Sequence, residues 1–304
     1  MQKTKTFGIR LLLLVLVLLV LDRAGGHVLE HYYLKVASGS EYKTIYAIEK
    51  SEEELLVLGS SRAYHHYVTS LLEKGLHKNA YNLGRDGAGI LYNYAVYRTV
   101  CDRKKPEMLL LDLNADEFMA GNVSYQLLYQ LLPHYDKNNY IKEVVALRSP
   151  FEFLKVQSRL YRYNSQLFYI AANNIRHSDI DVSKGYLALQ GTVKGDPEVP
   201  VKATSEVDTV LLHYFERFLD EAARNKTRVV VCLSPVYRKY TRPTASVAEI
   251  YRICKQRQVR LLDHLQDSVF LDQPVYFRDI SHLNDRGAHL YTSKLLEELQ
   301  DFSH

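Results

Sequence analysis

Two short segments of this 304-residue sequence carry the side chains that a nucleophilic serine and its proton acceptor need. Residues 59–62 read Gly-Ser-Ser-Arg, and residues 279–282 read Asp-Ile-Ser-His. An Asp and a His three positions apart can face the same way in a tight turn. The carboxylate then holds one imidazole nitrogen while the other accepts a proton from a serine. Either segment alone is also typical of an ordinary turn, but together they predict a serine nucleophile with a histidine base that an aspartate orients.

The predicted secondary structure places both segments at one edge of a sheet. Strands and helices alternate along the chain, which predicts an α/β fold with a doubly wound parallel sheet and helices on both faces. The strands are predicted at residues 55–59, 81–83, 108–113, 228–233 and 259–262, and the helices at 62–73, 89–102, 205–224, 247–256 and 284–299. One segment follows the first strand and the other precedes the last helix. Both therefore fall at the carboxyl edge, where such sheets bind ligands.

A glycine-rich loop follows the second predicted strand. Residues 82–89 read Asn-Leu-Gly-Arg-Asp-Gly-Ala-Gly. Such glycines let backbone N–H groups approach a bound oxygen. The glycine spacing does not match a dinucleotide-binding loop, which would also follow the first strand. The loop is therefore predicted either to donate N–H groups to a ligand or to form a turn that needs a positive φ.

In this order, the three segments resemble the SGNH (GDSL-like) hydrolase superfamily over about residues 53–300. The resemblance implies a flavodoxin-like three-layer α/β fold. It also implies Ser61 as the nucleophile, His282 as the base, Asp279 as the carboxylate that orients the base, and Gly87 as an oxyanion-hole residue. The usual Gly-Asp-Ser of the family is replaced here by Gly-Ser-Ser.

The third block of the family, which supplies an Asn to the oxyanion hole, has two candidate matches. Asn114 follows the third predicted strand, whereas strict register places Asp116 at the Asn position. A carboxylate only accepts hydrogen bonds, so Asp116 would be a poor donor and we favour Asn114. With neither residue, the hole would consist of the Ser61 and Gly87 N–H groups alone, and esterase turnover would be slow.

The Gly-Ser-Ser variant, an apolar N-terminus and a long inserted region are more similar to the envelope-anchored branch of the family. That branch includes the D-alanyl transfer proteins of teichoic-acid systems and the alginate-type O-acetylation proteins. The resemblance implies an acylated extracytoplasmic glycan as substrate and a membrane-bound O-acyltransferase as the partner that supplies the acyl group. The acyl-serine is then discharged to water or to a sugar hydroxyl. The alternative is a non-catalytic glycan-binding or assembly subunit with the same fold.

Three arginines flank the predicted site. Arg62, Arg85 and Arg278 are candidates to bind an anionic glycan or phosphate, although solvated arginines beside acidic partners are an equal alternative. His65 and His66 are adjacent, so on a helix they point about 100° apart, cannot share a metal ion and are expected to be surface or partly buried residues. The three Cys form no CxxC motif, and no HExxH or Walker sequence occurs. We therefore expect no metal and no cofactor.

The N-terminus predicts a membrane segment. Residues 1–10 hold three basic residues and no acid, and residues 11–21 are all Leu or Val. A basic start before an apolar run is typical of a signal anchor or a cleaved signal peptide, here assigned to residues 1–26. Positive charge before the run keeps the N-terminus cytoplasmic and the body extracytoplasmic. Residues 27–50 are interpreted as a membrane-proximal connector and 51–304 as the α/β domain, with a mainly helical insertion at 115–204 on the ligand-binding edge.

Charge excludes a nucleic-acid partner. The formal net charge is +4. Residues 1–26 contain four basic residues and one acid and supply +3 of it, so only +1 remains for the body. A nucleic-acid binder would carry a clear basic excess on its folded part.

Overall fold

Five short strands form a parallel sheet in the computed structural model, which describes residues 2–121, 123–175, 183–194, 206–240 and 243–300. They are β1 (Leu55–Leu58), β2 (Ala80–Asn82), β3 (Met108–Asp112), β4 (Arg228–Leu233) and β5 (Arg260–Asp263). Their order is β2-β1-β3-β4-β5, and all neighbouring pairs are parallel. The predicted doubly wound parallel sheet is confirmed.

Thirteen α-helices occur in the described residues. They are α1 (Gln2–Tyr33), α2 (Gly39–Glu49), α3 (Ser61–His66), α4 (Thr69–Leu76), α5 (Ile90–Cys101), α6 (Ser124–Leu127), α7 (Asn139–Ala146), α8 (Glu152–Lys155), α9 (Arg159–Tyr163), α10 (Leu167–Ile175), α11 (Thr209–Arg224), α12 (Ala245–Gln256) and α13 (Asp285–Gln300). Three 3₁₀ segments cover Leu128–His134, Asn164–Gln166 and Pro274–Tyr276.

Helices cover both faces of the sheet because successive strand residues point to opposite sides. Leu56 and Leu58 of β1 belong to a buried cluster with apolar residues of α5, α7, α11 and α12. Leu55 and Val57 belong to a second cluster with residues of α3, α4 and α13. A strand covered on both faces must be apolar throughout, which explains the unbroken apolar runs in the sequence.

The helix predicted at residues 62–73 is in fact two helices, α3 and α4. Tyr67 and Val68 between them adopt extended backbone angles. The break is fixed by buried contacts: the Tyr67 hydroxyl donates to Asp112 Oδ1 at 2.8 Å, and Asn82 Nδ2 donates to the Tyr67 carbonyl at 3.1 Å. These contacts come from distant strands and leave no local pattern in the sequence.

The start of α11 also differs from its prediction. Ser205, predicted to open this helix, lies outside the described residues. The helix begins at Thr209, and Asp208 is its N-cap, because Asp208 Oδ1 accepts hydrogen bonds from the backbone N–H groups of Val210 and Leu211.

The region between β3 and α11 is mainly helical in its described parts, as predicted. It contains α6 to α10 and two of the 3₁₀ segments. It begins at the carboxyl end of β3, so its first residues reach the edge of the sheet that holds the predicted site.

Helix α1 is long and apolar enough to cross a membrane. Its most apolar 18-residue window has a mean hydropathy of 2.2, and none of that window is buried against the protein. Such a helix is compatible with a signal anchor or a signal peptide. No second helix of this kind occurs in the described ranges.

Candidate active site

The turn after β1 presents Ser61 at the carboxyl edge of the sheet. Gly59 has φ +148°, and a Cβ atom there would lie 2.6 Å from the Asp112 carbonyl oxygen, so only glycine fits. Ser60 is the N-cap of α3, and Ser61 is the first residue of that helix. The Ser61 N–H group therefore belongs to the free, positively polarised end of a helix.

The structure brings Ser61, His282 and Asp279 into one hydrogen-bonded chain. Ser61 Oγ lies 2.7 Å from His282 Nε2. His282 Nδ1 lies 3.0 Å from both carboxylate oxygens of Asp279. Because a carboxylate only accepts, Nδ1 of a neutral His282 carries the proton and Nε2 is left to accept one from Ser61.

Asp279 is held as a carboxylate. Burial alone would raise its pKa. However, hydrogen bonds from the Ser281 and His282 backbone N–H groups, together with the His282 ring, lower the pKa of Asp279 below its usual value. These backbone bonds, at 2.8 and 3.0 Å, also fix the carboxylate under the imidazole. An ionised Asp279 stabilises the imidazolium that forms when His282 takes a proton.

The loop that carries His282 is closed at its base. Phe277 and Leu283 form an isolated antiparallel bridge, and the Arg278 N–H donates to the His282 carbonyl at 2.8 Å. Arg278 itself is exposed on this loop, and its side chain passes beside Gly191 instead of lining the cleft.

His66 ties this loop to α3, a role that the sequence analysis missed. The Leu283 N–H donates to His66 Nε2 at 3.0 Å, and His66 Nδ1 lies 2.9 Å from Ser234 Oγ. Burial, with smaller contributions from the nearby His282 and Arg62 charges, holds the pKa of His66 well below its usual value. His66 is therefore neutral, and Nε2 remains an acceptor. Both His65 and His66 are buried, whereas surface or partly buried positions were expected.

The candidate oxyanion-hole groups surround the same cleft. Gly87 has φ +72°, and a Cβ there would lie 2.9 Å from Leu127 Cδ1, which explains the glycine. In the part of the chain that the structure describes, the backbone N–H groups of Ser61 and Gly87 have no hydrogen-bond acceptor. Both residues line the cleft together with Asn114.

The side chain of Asn114 is held between two partners. Its Oδ1 accepts from Ser60 Oγ at 3.3 Å, and its Nδ2 donates to Glu117 Oε2 at 3.1 Å. An amide has two N–H donors, so one remains for a ligand. Asp116, the alternative, is exposed and also lines the cleft. The firm attachment of Asn114 beside Ser60 supports Asn114 for the third position.

Glu117 was also missed by the sequence analysis. It is fully buried and joins two site segments, because Oε1 accepts from the Ile90 N–H at the start of α5 at 2.7 Å while Oε2 holds Asn114. Burial raises the pKa of Glu117 to about 7, although the hydrogen bonds from Ile90 and Asn114 oppose the rise.

Two of the three candidate substrate-binding arginines form buried ion pairs. Arg62 is buried and pairs with Asp112, with Nε 3.6 Å from Oδ2. Arg85 is buried and pairs with Glu41 at 3.0 Å. The fold brings both acidic partners from distant segments of the chain, and Arg62 also lines the cleft. Arg238, which was not predicted, lines the cleft, and its buried Nε has no hydrogen-bond partner among the described residues.

The cleft itself has a volume of about 610 Å³. Its walls come from the turn after β1, the glycine-rich loop, the beginning of the insertion, the segment after β4 and the His282 loop. In the described ranges, no group of three or more His, Cys, Asp or Glu side chains is placed to hold a metal ion. The arrangement can generate a serine nucleophile and stabilise an oxyanion beside it.

No protein-family model and no curated protein matches this chain. The chain is similar to the solved structures of three esterases. The acetyl xylan esterase AlAXEase is 11% identical, with 80% of this chain and 98% of that chain covered and a TM-score of 0.43. A two-domain esterase (CEX) active on acetylated mannans is 11% identical, with 88% and 55% covered and a TM-score of 0.43. AlinE4, an SGNH-hydrolase family esterase, is 12% identical, with 83% and 98% covered and a TM-score of 0.36. Likeness at this level identifies neither the family nor the activity of this chain.

Proposed function

We propose that this protein is a serine esterase or O-acyltransferase that acts on acyl esters of an extracytoplasmic glycan. The observation that carries the proposal is the chain from Ser61 Oγ through His282 to Asp279, with contacts of 2.7 and 3.0 Å, at the edge of an open cleft. A nucleophile, a base and a group that orients the base, all within hydrogen-bond reach, are the arrangement that activates a serine.

The proposed reaction has two half-steps. Ser61 Oγ attacks the acyl carbonyl carbon while His282 Nε2 takes the hydroxyl proton. The Ser61 and Gly87 N–H groups and Asn114 stabilise the oxyanion. When the bond to the alcohol breaks, His282 gives its proton to the leaving oxygen, and acyl-Ser61 remains. Water or a sugar hydroxyl then attacks the acyl group, passes its proton to His282, and Ser61 recovers that proton as it leaves.

The proposed location and partners follow from the rest of the molecule. An inserted α1 holds the cleft outside the cytoplasm, where acylated envelope glycans and a membrane-bound O-acyltransferase donor would meet it. Arg238 is the cationic cleft contact that we assign to the substrate in place of Arg62 and Arg85. Its guanidinium suits a carboxylate, phosphate or hydroxyl of a glycan.

A fluorophosphonate probe on the full-length, detergent-solubilised protein tests the enzyme. We expect wild type to be labelled, Ser61→Ala to be unlabelled, and His282→Ala to be labelled at least about 10³-fold more slowly, because the serine loses its base. Ser60→Ala is the matched control and should still be labelled, because its neighbour is the nucleophile. An unlabelled wild-type protein that still binds acylated glycan would instead establish a non-catalytic binding subunit.

Mass spectrometry of Ser61 separates the two outcomes of the second half-step. After incubation with an acetyl ester, acetyl-Ser61 that persists in water and disappears on addition of a glycan indicates a transferase. Acetyl-Ser61 that disappears in water alone indicates an esterase.

A further inference from the structure

Helix α1 does not end where its apolar run ends. Residues 11–21 are exposed along their whole length, and the helix continues for three more turns to Tyr33. This second half packs on the protein: Tyr33 is buried in a cluster with Tyr163 of α9 and Ile170 of α10. One rigid element therefore joins the apolar run to the inserted helices.

The junction is fixed at Asp22, the first residue after the apolar run. The Asp22 carboxylate accepts hydrogen bonds from Ser158 Oγ and from the Arg159 and Leu160 N–H groups, the last two at 3.0 and 3.2 Å. Arg23 donates to the Gln157 carbonyl at 3.0 Å. The start of α9 is thus held at the level where the apolar run stops.

The two helices also touch through glycines of α1. A Cβ on Gly25 would lie 2.8 Å from Leu160 Cδ2, and a Cβ on Gly26 would lie 2.2 Å from Arg159 Cβ. No side chain fits between the helices at these positions, so the start of α9 lies directly against α1.

An apolar surface lies beside this junction. Phe151, Phe153 and Leu154 around α8 are 65%, 58% and 58% exposed, and Leu160 of α9 is 40% exposed. We call these four residues the α8 patch. Single exposed apolar residues are ordinary, but several large ones close together indicate an interaction surface.

The acidic residue between Phe151 and Phe153 faces the protein interior and not solvent. Glu152 is buried, and it accepts hydrogen bonds from Tyr161 at 2.7 Å and Ser149 at 2.9 Å and pairs with Arg148. The acid faces the protein while its aromatic and aliphatic neighbours face outward. The charged groups at this level include the exposed cations Arg23, Lys155 and Arg159, and Arg159 lies 3.6 Å from the exposed carboxylate of Glu30.

We propose that the α8 patch docks on the surface of the lipid bilayer beside the point where α1 leaves it. The α8 patch is joined to the membrane segment through Asp22 and the contacts of α9. Phe and Leu beside exposed basic side chains suit the boundary between headgroups and acyl chains. The occupant is therefore lipid, and the α8 patch restricts how the body tilts on its anchor. This inference rests on the proposed insertion of α1.

The absence of Trp from the sequence allows a clean test. The full-length protein is reconstituted in vesicles of phosphatidylethanolamine and phosphatidylglycerol, with or without brominated acyl chains that quench Trp on contact. Single-Trp variants place the probe in the α8 patch (Phe153→Trp), in the apolar run of α1 (Leu16→Trp), or on the exposed face of α12 (Tyr251→Trp). All three positions are exposed, so we expect the fold to tolerate each substitution.

We expect brominated lipid to reduce the emission of Phe153→Trp and Leu16→Trp by about twofold or more, since both probes reach the acyl chains, and to leave Tyr251→Trp unchanged. Quenching of Leu16→Trp without quenching of Phe153→Trp would overturn the docking and leave the anchor intact. The same result with blue-shifted Phe153→Trp emission would show that a protein covers the α8 patch. Failure to quench Leu16→Trp would overturn the anchor itself. Fluorophosphonate labelling of each variant tests the proposed enzyme separately.

Discussion

At the scale of single residues, the candidate site depends on a few side chains that hold others in place. Asp279 orients His282, His66 ties down the next residue of that loop, and Glu117 holds Asn114. The His66 contact joins segments far apart in the sequence, whereas Asp279 and Glu117 each hold a residue three positions away. A substitution at such a residue changes the geometry of the site without removing a reacting group.

Alanine variants at residues 114 and 116 test which of Asn114 and Asp116 contributes to the oxyanion hole. We expect Asn114→Ala to lower kcat toward a chromogenic acetate ester by about 10²-fold, because one donor to the oxyanion is lost. Asp116→Ala, an exposed neighbour on the same cleft, should change kcat by no more than about twofold. Steady-state kinetics of the two variants in parallel decide the assignment. A large effect at residue 116 with a small one at 114 would reverse it.

Because the carboxyl group of Glu117 is buried, we expect the free energy of unfolding to depend on pH. Its pKa of about 7 in the folded protein lies above the ordinary value, so the fold favours the protonated acid. This contribution is fully present below the ordinary pKa of about 4.3 and is lost as the pH rises through 7. We expect the wild-type free energy of unfolding to fall by on the order of 3 kcal/mol between pH 4 and pH 8 through this group.

Glu117→Gln, which stays neutral, is the control for that prediction. Thermal unfolding followed by circular dichroism should place the variant progressively above wild type as the pH rises from 5 to 8. An unchanged difference in Tm between the two proteins at pH 5 and pH 8 would show that Glu117 ionises normally.

At the scale of elements, the sequence pattern predicted the features that depend on residues close together in the chain. Continuous apolar runs marked the buried strands, and their alternation with helices predicted the sheet and therefore the shared edge for residues 61, 279 and 282. Helix ends were less predictable: the break at Tyr67 depends on Asp112 and Asn82, which belong to other strands.

Contacts between distant segments also explain which interactions at the site the sequence did not reveal. Arg62 and Arg85 follow predicted strands, and the fold brings each beside an acid from a distant segment, Asp112 or Glu41, while Arg62 also lines the cleft. His66 accepts a hydrogen bond from the backbone N–H group of Leu283, which lies 217 positions away. The residues next to these positions in the sequence do not indicate such contacts.

At the scale of the whole molecule, α1 is both long and apolar enough to cross a membrane and a packed element of the body. Cleavage near residue 26 would remove Asp22, Gly25 and Gly26, which contact α9, and Arg23, which contacts Gln157 just before it. The start of α9 would lose its carboxylate cap, and apolar surface of α9 would be exposed to water. From this packing we propose that α1 is retained as an anchor and not removed as a signal peptide.

Retention of α1 predicts a single membrane-bound form. Intact-mass spectrometry of protein extracted from membranes should give a chain that still contains residues 1–26, and alkaline carbonate should not release it. Asp22→Ala should lower the free energy of unfolding by about 1 kcal/mol, because the Arg159 and Leu160 N–H groups lose their acceptor, while Asp22→Asn, which keeps an acceptor, should cost less. A released chain that begins near residue 27 and unfolds at the same temperature as the membrane-bound protein would contradict a structural role for this junction.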